Sequence, residues 1–364
     1  MAKVKTEKVH EPLFHLVKRD RMPLWKSLAI RLGAIAAGLA FCSLICYIFL
    51  GLNPSELFKT MYNGVFGSER RTWKMIKDLA VLLCISLAVT PAFKMRFWNI
   101  GAEGQVLMSC LAAVACVIYL GGSMPNWALL ICMAVASILM GAIWAVIPAF
   151  FKAKWDTNET LFTLMMNYVA TSLVSFFLIV WVPSGSSTLG ELSFGHMPIV
   201  YNRYLVLVIV VAVLTVAMYI YLNYCKHGYE ISVVGESQKT ACYIGINVKH
   251  VIIRTLIVSG ALCGIAGFLI VSALDHSVTT ASAGGQGFTA IMVSWLAKFN
   301  PLIMVATSFL IVFLQQGVNQ VATDCNISNA FPSIIVGIIL FFFIGCEFFI
   351  SYKIMFRGKE AAKK

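Results

Sequence analysis

Charge is what this sequence has least of. Asp, Glu, Lys and Arg make up only 12% of its residues, against about 25% in an ordinary soluble domain. Catalytic signatures are missing as well. There is no Gly-x-x-x-x-Gly-Lys-[Ser/Thr] stretch, so the chain has no P-loop in which to cradle nucleotide phosphates. It also has no His-Glu-x-x-His, no Gly-x-Ser-x-Gly and no dinucleotide-binding glycine fingerprint. Its six histidines are dispersed, mostly in tails and loops, and its eleven cysteines include no Cys-x-x-Cys pair. Most of those cysteines lie inside apolar runs, where they read as small buried apolar residues rather than as disulfides or metal ligands. The first 26 residues hold no short apolar stretch followed by a cleavage site, so the first span is expected to stay in the membrane.

Apolar length is what the sequence has in excess. Hydrophobic residues make up 60% of the chain and the mean hydropathy is +0.85. Several runs reach the roughly 20 helical residues that a hydrocarbon core of about 30 Å requires. The fold class expected is an all-α integral membrane bundle of about ten transmembrane or partly transmembrane helices, with a possible internal repeat. Ten segments are read at 27–50, 79–93, 106–120, 127–151, 161–181, 204–222, 251–273, 288–297, 301–318 and 331–350. Pro91 should kink or end the second, Asp156 to Glu159 supply helix-start residues for the fifth, and the eighth is too brief to cross upright. Residues 1–26 form a basic tail in which Leu13, Leu16 and Val17 are spaced for a surface helix, 27–352 the permeation domain, and 353–364 a second basic tail.

The net charge of +12 does not point to nucleic acid, because the basic residues cluster in short loops and tails, as the positive-inside rule describes. With ten crossings and both termini cytoplasmic, twenty-one basic residues fall on the inner face, six on the outer, and Arg31 lies within a span.

The stretch that organises the chain runs from Phe97 to Gln105, between two apolar runs. It holds Asn99, Gly101, Glu103, Gly104 and Gln105 in nine positions. Glycines on both sides of Glu103 let the backbone bend and approach another group closely. A bilayer tolerates such a polar break only where protein buries it or water lines it, and interrupted helices often mark the substrate path of a transporter. The same residues also suit a plain cytosolic turn between two spans. Gly284 to Phe288 opens another apolar run about half a chain later with a similar glycine and amide content, the pattern of a repeat-built transporter.

Few other ionisable residues fall near the bundle interior. Glu347 sits in the last turns of the final span, where an interfacial position suits it, and Asp275 with His276 falls where the seventh span leaves the membrane. Asn167, mid-span in the fifth segment, fits a hydrogen bond to a neighbouring helix or a substrate contact. Trp98 and Phe288 beside amides would suit stacking on a flat ring. Between the sixth and seventh spans, Ser237 can cap a short helix and Gly245 can end it, making a peg on which a soluble partner could dock.

Five motifs, in order, carry a resemblance to a known family: Asn99 to Gln105, Leu164 to Tyr168, Gly235 to Ser237, Tyr243 to Val248 with the small-residue run Ser259 to Gly267 behind it, and Gly285 to Ile291. Over roughly residues 30–350 the chain resembles the permease subunits of bacterial ABC importers for nucleosides and simple sugars. The Gly-Ala-Glu-Gly-Gln form and the long basic N-terminus are more similar to the nucleoside permeases. Trp98 departs from the family's usual Phe, and Thr240, Cys242 and Ile244 from its usual Ala, Arg and Ala.

The resemblance implies a transporter subunit without its own ATPase site or bound cofactor, in the bacterial cytoplasmic membrane. Its implied partners are ABC ATPase subunits, a second permease subunit in a heterodimer, and an extracellular substrate-binding protein, with lipid around it and no nucleic acid. The expected substrate pathway is Trp98, Asn99, Glu103, Gln105, Asn167, Gln286 and Phe288. Coupling to the ATPase is expected at 235–246, through Gly235, Glu236, Ala241, Tyr243, Gly245 and Ile246. The same family importing a sugar of the ribose or galactose type is the alternative cargo. A stand-alone secondary carrier is the alternative class, and the scarcity of buried acidic and histidine residues argues against proton coupling.

Overall fold

The computed structural model describes residues 14–19, 23–51, 53–182, 189–328 and 330–356. Among them, nine helices are long and apolar enough to cross a membrane, and the chain divides into two compact units.

The first unit joins Met1–Val65 to Leu314–Lys364. Here α1 (Leu24–Leu50) packs along α13 (Ala330–Ser351). Gly38 lets the two helices close, since a Cβ there would touch the Cα of Ile339 at 3.4 Å. Arg31 donates from Nε to Glu347 Oε1 at 2.6 Å, both side chains being about one-fifth exposed. The pair explains how two charges tolerate positions inside apolar helices: each supplies the counter-charge that lipid cannot. Also in this unit, α2 (Pro54–Phe66) lies on the end of α12 (Pro301–Asp324), where Met61 meets Gly317.

The tails differ from the expected surface helix. Phe14–Lys18 forms a strand, β1, paired antiparallel with β2 (Tyr352–Phe356), with Phe14 opposite Phe356 and Lys18 opposite Tyr352. Leu13 lies outside the described residues. So short a helix is costly to nucleate in isolation, whereas the paired tail satisfies its backbone groups at once.

The second unit, Phe66–Phe313, contains the rest. Helix α3 (Glu69–Lys94) begins ten residues before the predicted span, because Ser68 accepts from Arg71 N and caps a charged first turn. Pro91 sits one turn from its end, so the helix continues only to Lys94. Then come α4 (Ala102–Leu120), α5 (Asn126–Trp155), α6 (Glu159–Trp181, capped by Asn158 as expected) and α7 (Leu205–Tyr224). Two short helices, α8 (Lys226–Glu236) and α9 (Gln238–Tyr243), precede α10 (Val248–Leu269), which ends in a π-helical turn, Ile270–Asp275.

Helix α10 is the centre of this unit, packed on α5, α3 and α4. Its small-residue run makes a seam. A Cβ on Gly260 would overlap the Gly141 carbonyl, one on Gly264 would reach the Cα of Ile138 at 2.5 Å, and one on Gly267 the Cβ of Ser109 at 2.6 Å. In lipid, such close backbone approach replaces the hydrophobic effect as the source of helix association.

The short apolar piece at 288–297 is α11 (Gln286–Leu296), eleven residues long, or about 16 Å at about 1.5 Å per residue. It is half a crossing. The chain enters it from the far end of α10, where His276 O accepts from Leu192 N at 2.8 Å and Ser272 O from Met197 N at 3.0 Å. It leaves beside the end of α3, where Ser294 and Thr90 hydroxyls lie 2.9 Å apart. The irregular stretch 276–285 and the half-helix together carry the chain from one end of the unit to the other.

Candidate functional site

The polar break between α3 and α4 is the most heavily tied part of the molecule. The turn itself is made at Arg96, whose φ is +60°, and not at Gly101, whose φ is −77°. Asn99, fully buried, accepts from Gly101 N at 3.0 Å. From α6, Thr163 accepts from Ile100 N at 3.2 Å. Asn167 donates to Ile100 O at 3.0 Å and accepts from Gly104 N at 2.9 Å. Gly104 is required by that approach: a Cβ would stand 2.8 Å from Asn167 Oδ1. The irregular backbone is thus satisfied by protein rather than by water, which answers the constraint lipid imposes.

Glu103 looks outward from this knot. Its Oε1 accepts from Gly285 N at 2.7 Å and its Oε2 from Gly287 N at 2.8 Å. A carboxylate carried by the first turn of α4 therefore caps the N-terminus of α11, and the positive ends of two helix dipoles share one negative charge. Gly284 and Gly285 have φ of +59° and +71°, left-handed values that side chains rarely adopt. At Gly287 a Cβ would lie 2.6 Å from Glu103 N. The two glycine-amide stretches noticed in the sequence meet in space through Glu103.

The seven residues expected along the pathway fall into two groups. Asn99, Gln105 and Asn167 are buried within the chain, with Asn99 and Asn167 occupied by the backbone. Trp98 and Phe288 are each 45% exposed. Glu103 and Gln286 lie between these groups, half-buried. The Oε1 atoms of Gln105 and Gln286 are buried and make no hydrogen bond among the described residues. Trp295, which the sequence reading passed over, stands with its ring centroid 5.3 Å from that of Trp98 and is 48% exposed. It lies seven residues after Phe288, hence on the same helix face; that spacing was the signal available.

The segment 235–246 has the expected caps. Ser237 accepts from Thr240 N at 3.2 Å to start α9, and Gly245, at φ +83°, ends it. Its residues, however, face two ways. Tyr243 is 90% exposed and Ile244 54%, with Glu236 also outward. Gly235 and Ala241 are buried. A Cβ on Gly235 would overlap the carbonyl of Lys94, the last residue of α3. Lys94 itself donates to Leu222 O at 3.1 Å. Arg254 holds α8 to α10 through Glu230 at 2.7 Å, and this hydrogen bond keeps the Glu230 carboxyl below the usual carboxylate range. The helix pair is thus seated on the end of α3, a few residues from the polar break. Because the obstacle is backbone, Gly235→Ala is expected to force these elements apart and lower Tm. An unchanged Tm in that variant would show the contact to be dispensable. Ala241→Glu would likewise place a charge in the buried interface and damage packing.

Residues 74–344 match the family model described as branched-chain amino acid transport system / permease component. A glucose ABC transporter permease protein of Haloferax volcanii is 26% identical, with 92% of each chain covered. A guanosine ABC transporter permease protein of Bacillus subtilis is also 26% identical, over 93% of this chain and 97% of that relative. A nucleoside ABC transporter permease protein of Lactococcus lactis subsp. cremoris is 22% identical, with the same coverage.

Proposed function

Because this chain belongs to the family of branched-chain amino acid transport system permease components, we propose that it forms part of the membrane pathway of an ABC importer whose cargo is a nucleoside. The observation that carries the reading is the Glu103-capped half-helix with its exposed aromatic face. A half-helix whose backbone ends inside the bundle offers polar groups at membrane depth, and Phe288, Trp98 and Trp295 offer rings on which a nucleobase would stack. The relatives named for guanosine and nucleosides support that cargo. The glucose relative supports a second reading, a simple sugar, which needs hydrogen bonds more than rings.

In this reading Asn99, Gln105 and Asn167 hold the break together, while Gln286, Phe288, Trp98 and Trp295 meet the cargo. Among the described residues, the nine long helices and the broken passage at 276–300 would make ten crossings. An even number returns the chain to the face it started from, in keeping with the pairing of its two tails. The basic tails, Lys152, Lys154 and the segment 226–254 support a cytoplasmic position for that face. The membrane is the bacterial cytoplasmic one. ATP is hydrolysed by separate ATPase subunits that dock at α9, a second permease subunit completes the pathway, and an extracellular binding protein delivers the cargo.

The test is uptake of labelled guanosine and glucose into vesicles containing the complete importer. ATP-dependent guanosine uptake is expected, with Trp98→Ala and Trp295→Ala each lowering it about tenfold, since base-aromatic stacking contributes about 1–3 kcal/mol per base. ATP-dependent uptake of glucose alone would move the cargo to sugars. Uptake driven by an ion gradient without ATPase would overturn the importer reading.

A further inference from the structure

Beside α9 lies a groove of about 840 Å³ that α9 alone does not account for, bounded by the last turn of α5 and the first turns of α10. Its walls include Lys152, Lys239 and Lys249, and its floor is apolar, with Ile252 nearly buried and Tyr243 at the rim. Lys152 is already committed, with Asp156 at 2.7 Å and Glu159 at 3.0 Å. Those two carboxylates thus already have a cation beside them. Lys239 and Lys249 make no ion pair among the described residues, so two cations face a groove whose one acidic lining residue is already paired with Lys152.

We infer that this groove is a second docking element for the importer's ATPase, which inserts an acidic, partly apolar segment between α9 and the end of α5. The inference rests on the proposed importer function and adds a partner chemistry to it. Lys239 and Lys249 would each meet a carboxylate of that segment, and the floor from Tyr243 to Ile252 its apolar side chains. Position favours a protein over a lipid headgroup. Helix α5 is 30 residues long and the α10 span 28, about 45 Å and 42 Å at about 1.5 Å per residue, well beyond a hydrocarbon core of about 30 Å. Lys152 lies in the last turn of α5 and Lys249 in the first turn of α10, the terminal turns of these long helices, and Tyr243 at the rim is 90% exposed. The groove therefore opens past the lipid, where a soluble subunit would sit.

The experiment uses the complete importer, purified through a tag on this chain in phosphatidylcholine discs, with the ATPase identified by its P-loop sequence. Lys239→Glu combined with Lys249→Glu should lower ATPase retention at least tenfold, and Lys239→Gln with Lys249→Gln by less. Retention by the unaltered chain should fall between 0.1 and 0.5 M salt, since the Debye length shortens from about 10 Å at about 0.1 M. Binding of the cargo-loaded delivery protein at the opposite face should be unchanged, which separates lost docking from lost folding. Wild-type retention by the double charge reversal would overturn the inference. So would a difference that appears only in discs containing phosphatidylglycerol, which would assign the groove to lipid headgroups. If the unaltered importer shows ATP-driven uptake while the reversed chain docks normally, the groove assignment falls and the importer function stands.

Discussion

Replacing Glu103 with alanine is expected to lower ATP-driven uptake about a hundredfold while the protein still inserts in the membrane. The carboxylate is the hydrogen-bond acceptor for two backbone groups at the start of α11, Gly285 N and Gly287 N. Gly285 has a left-handed φ of +71° that strains any side chain, and at Gly287 a Cβ would lie 2.6 Å from Glu103 N. Each stranded donor costs about 1–3 kcal/mol. About 2.8 kcal/mol corresponds to a hundredfold change in an equilibrium. Glu103→Gln sharpens the test. An amide offers one acceptor where the structure uses two, and its NH₂ group would face an N–H, so glutamine should recover only part of the loss. Uptake within threefold of normal in Glu103→Ala would mean that α11 holds its place without the cap. Initial rates measured at equal protein density per vesicle decide the matter.

The second large effect is expected at Gly260. A Cβ there would overlap the Gly141 carbonyl and lie 2.6 Å from the Cβ of Ala145. Because the obstacle is backbone, no rotamer relieves it. Gly260→Leu should push α5 from α10 at the most extensive helix contact of the second unit. Overpacking of this kind costs about 1–3 kcal/mol in a core, and two rigid helices have fewer ways to yield. The measurement is monodispersity and Tm in detergent, where a broad or absent peak is expected. Gly33→Ala and Gly337→Ala are the controls, because a Cβ at either position meets nothing within 4 Å. A Gly260→Leu protein as stable as those two would refute the seam as a determinant of assembly.

Hydropathy located the spans because each is a contiguous run, and contiguity is local information. The start of α3 escaped it. Glu69, Arg70, Arg71 and Lys74 read as loop until Ser68 is seen capping them. Glu103 was conspicuous from its glycine neighbours, yet the likeness of 101–105 to 284–288 suggested repetition rather than contact. A pairing across more than 180 positions leaves no trace in a local pattern. The sequence around Asn167 suits a helix partner or a substrate contact alike; its two bonds to the backbone of the break favour the first. The strands of the tails were invisible for the same reason as the Glu103 bond. Neither five-residue piece has a partner within reach of its own sequence, and β1 becomes a strand only in the presence of β2.

That last dependence has a consequence for synthesis. At about 5–20 residues per second, the roughly 330 residues between the two strands take on the order of half a minute to appear. During that interval the backbone groups of Phe14–Lys18 lack the partner that makes them a strand, and any other strand they meet can take its place. The tail sheet closes only when the ribosome has delivered Tyr352–Phe356. A product that stops early can carry every membrane helix and still leave Phe14–Lys18 unzipped.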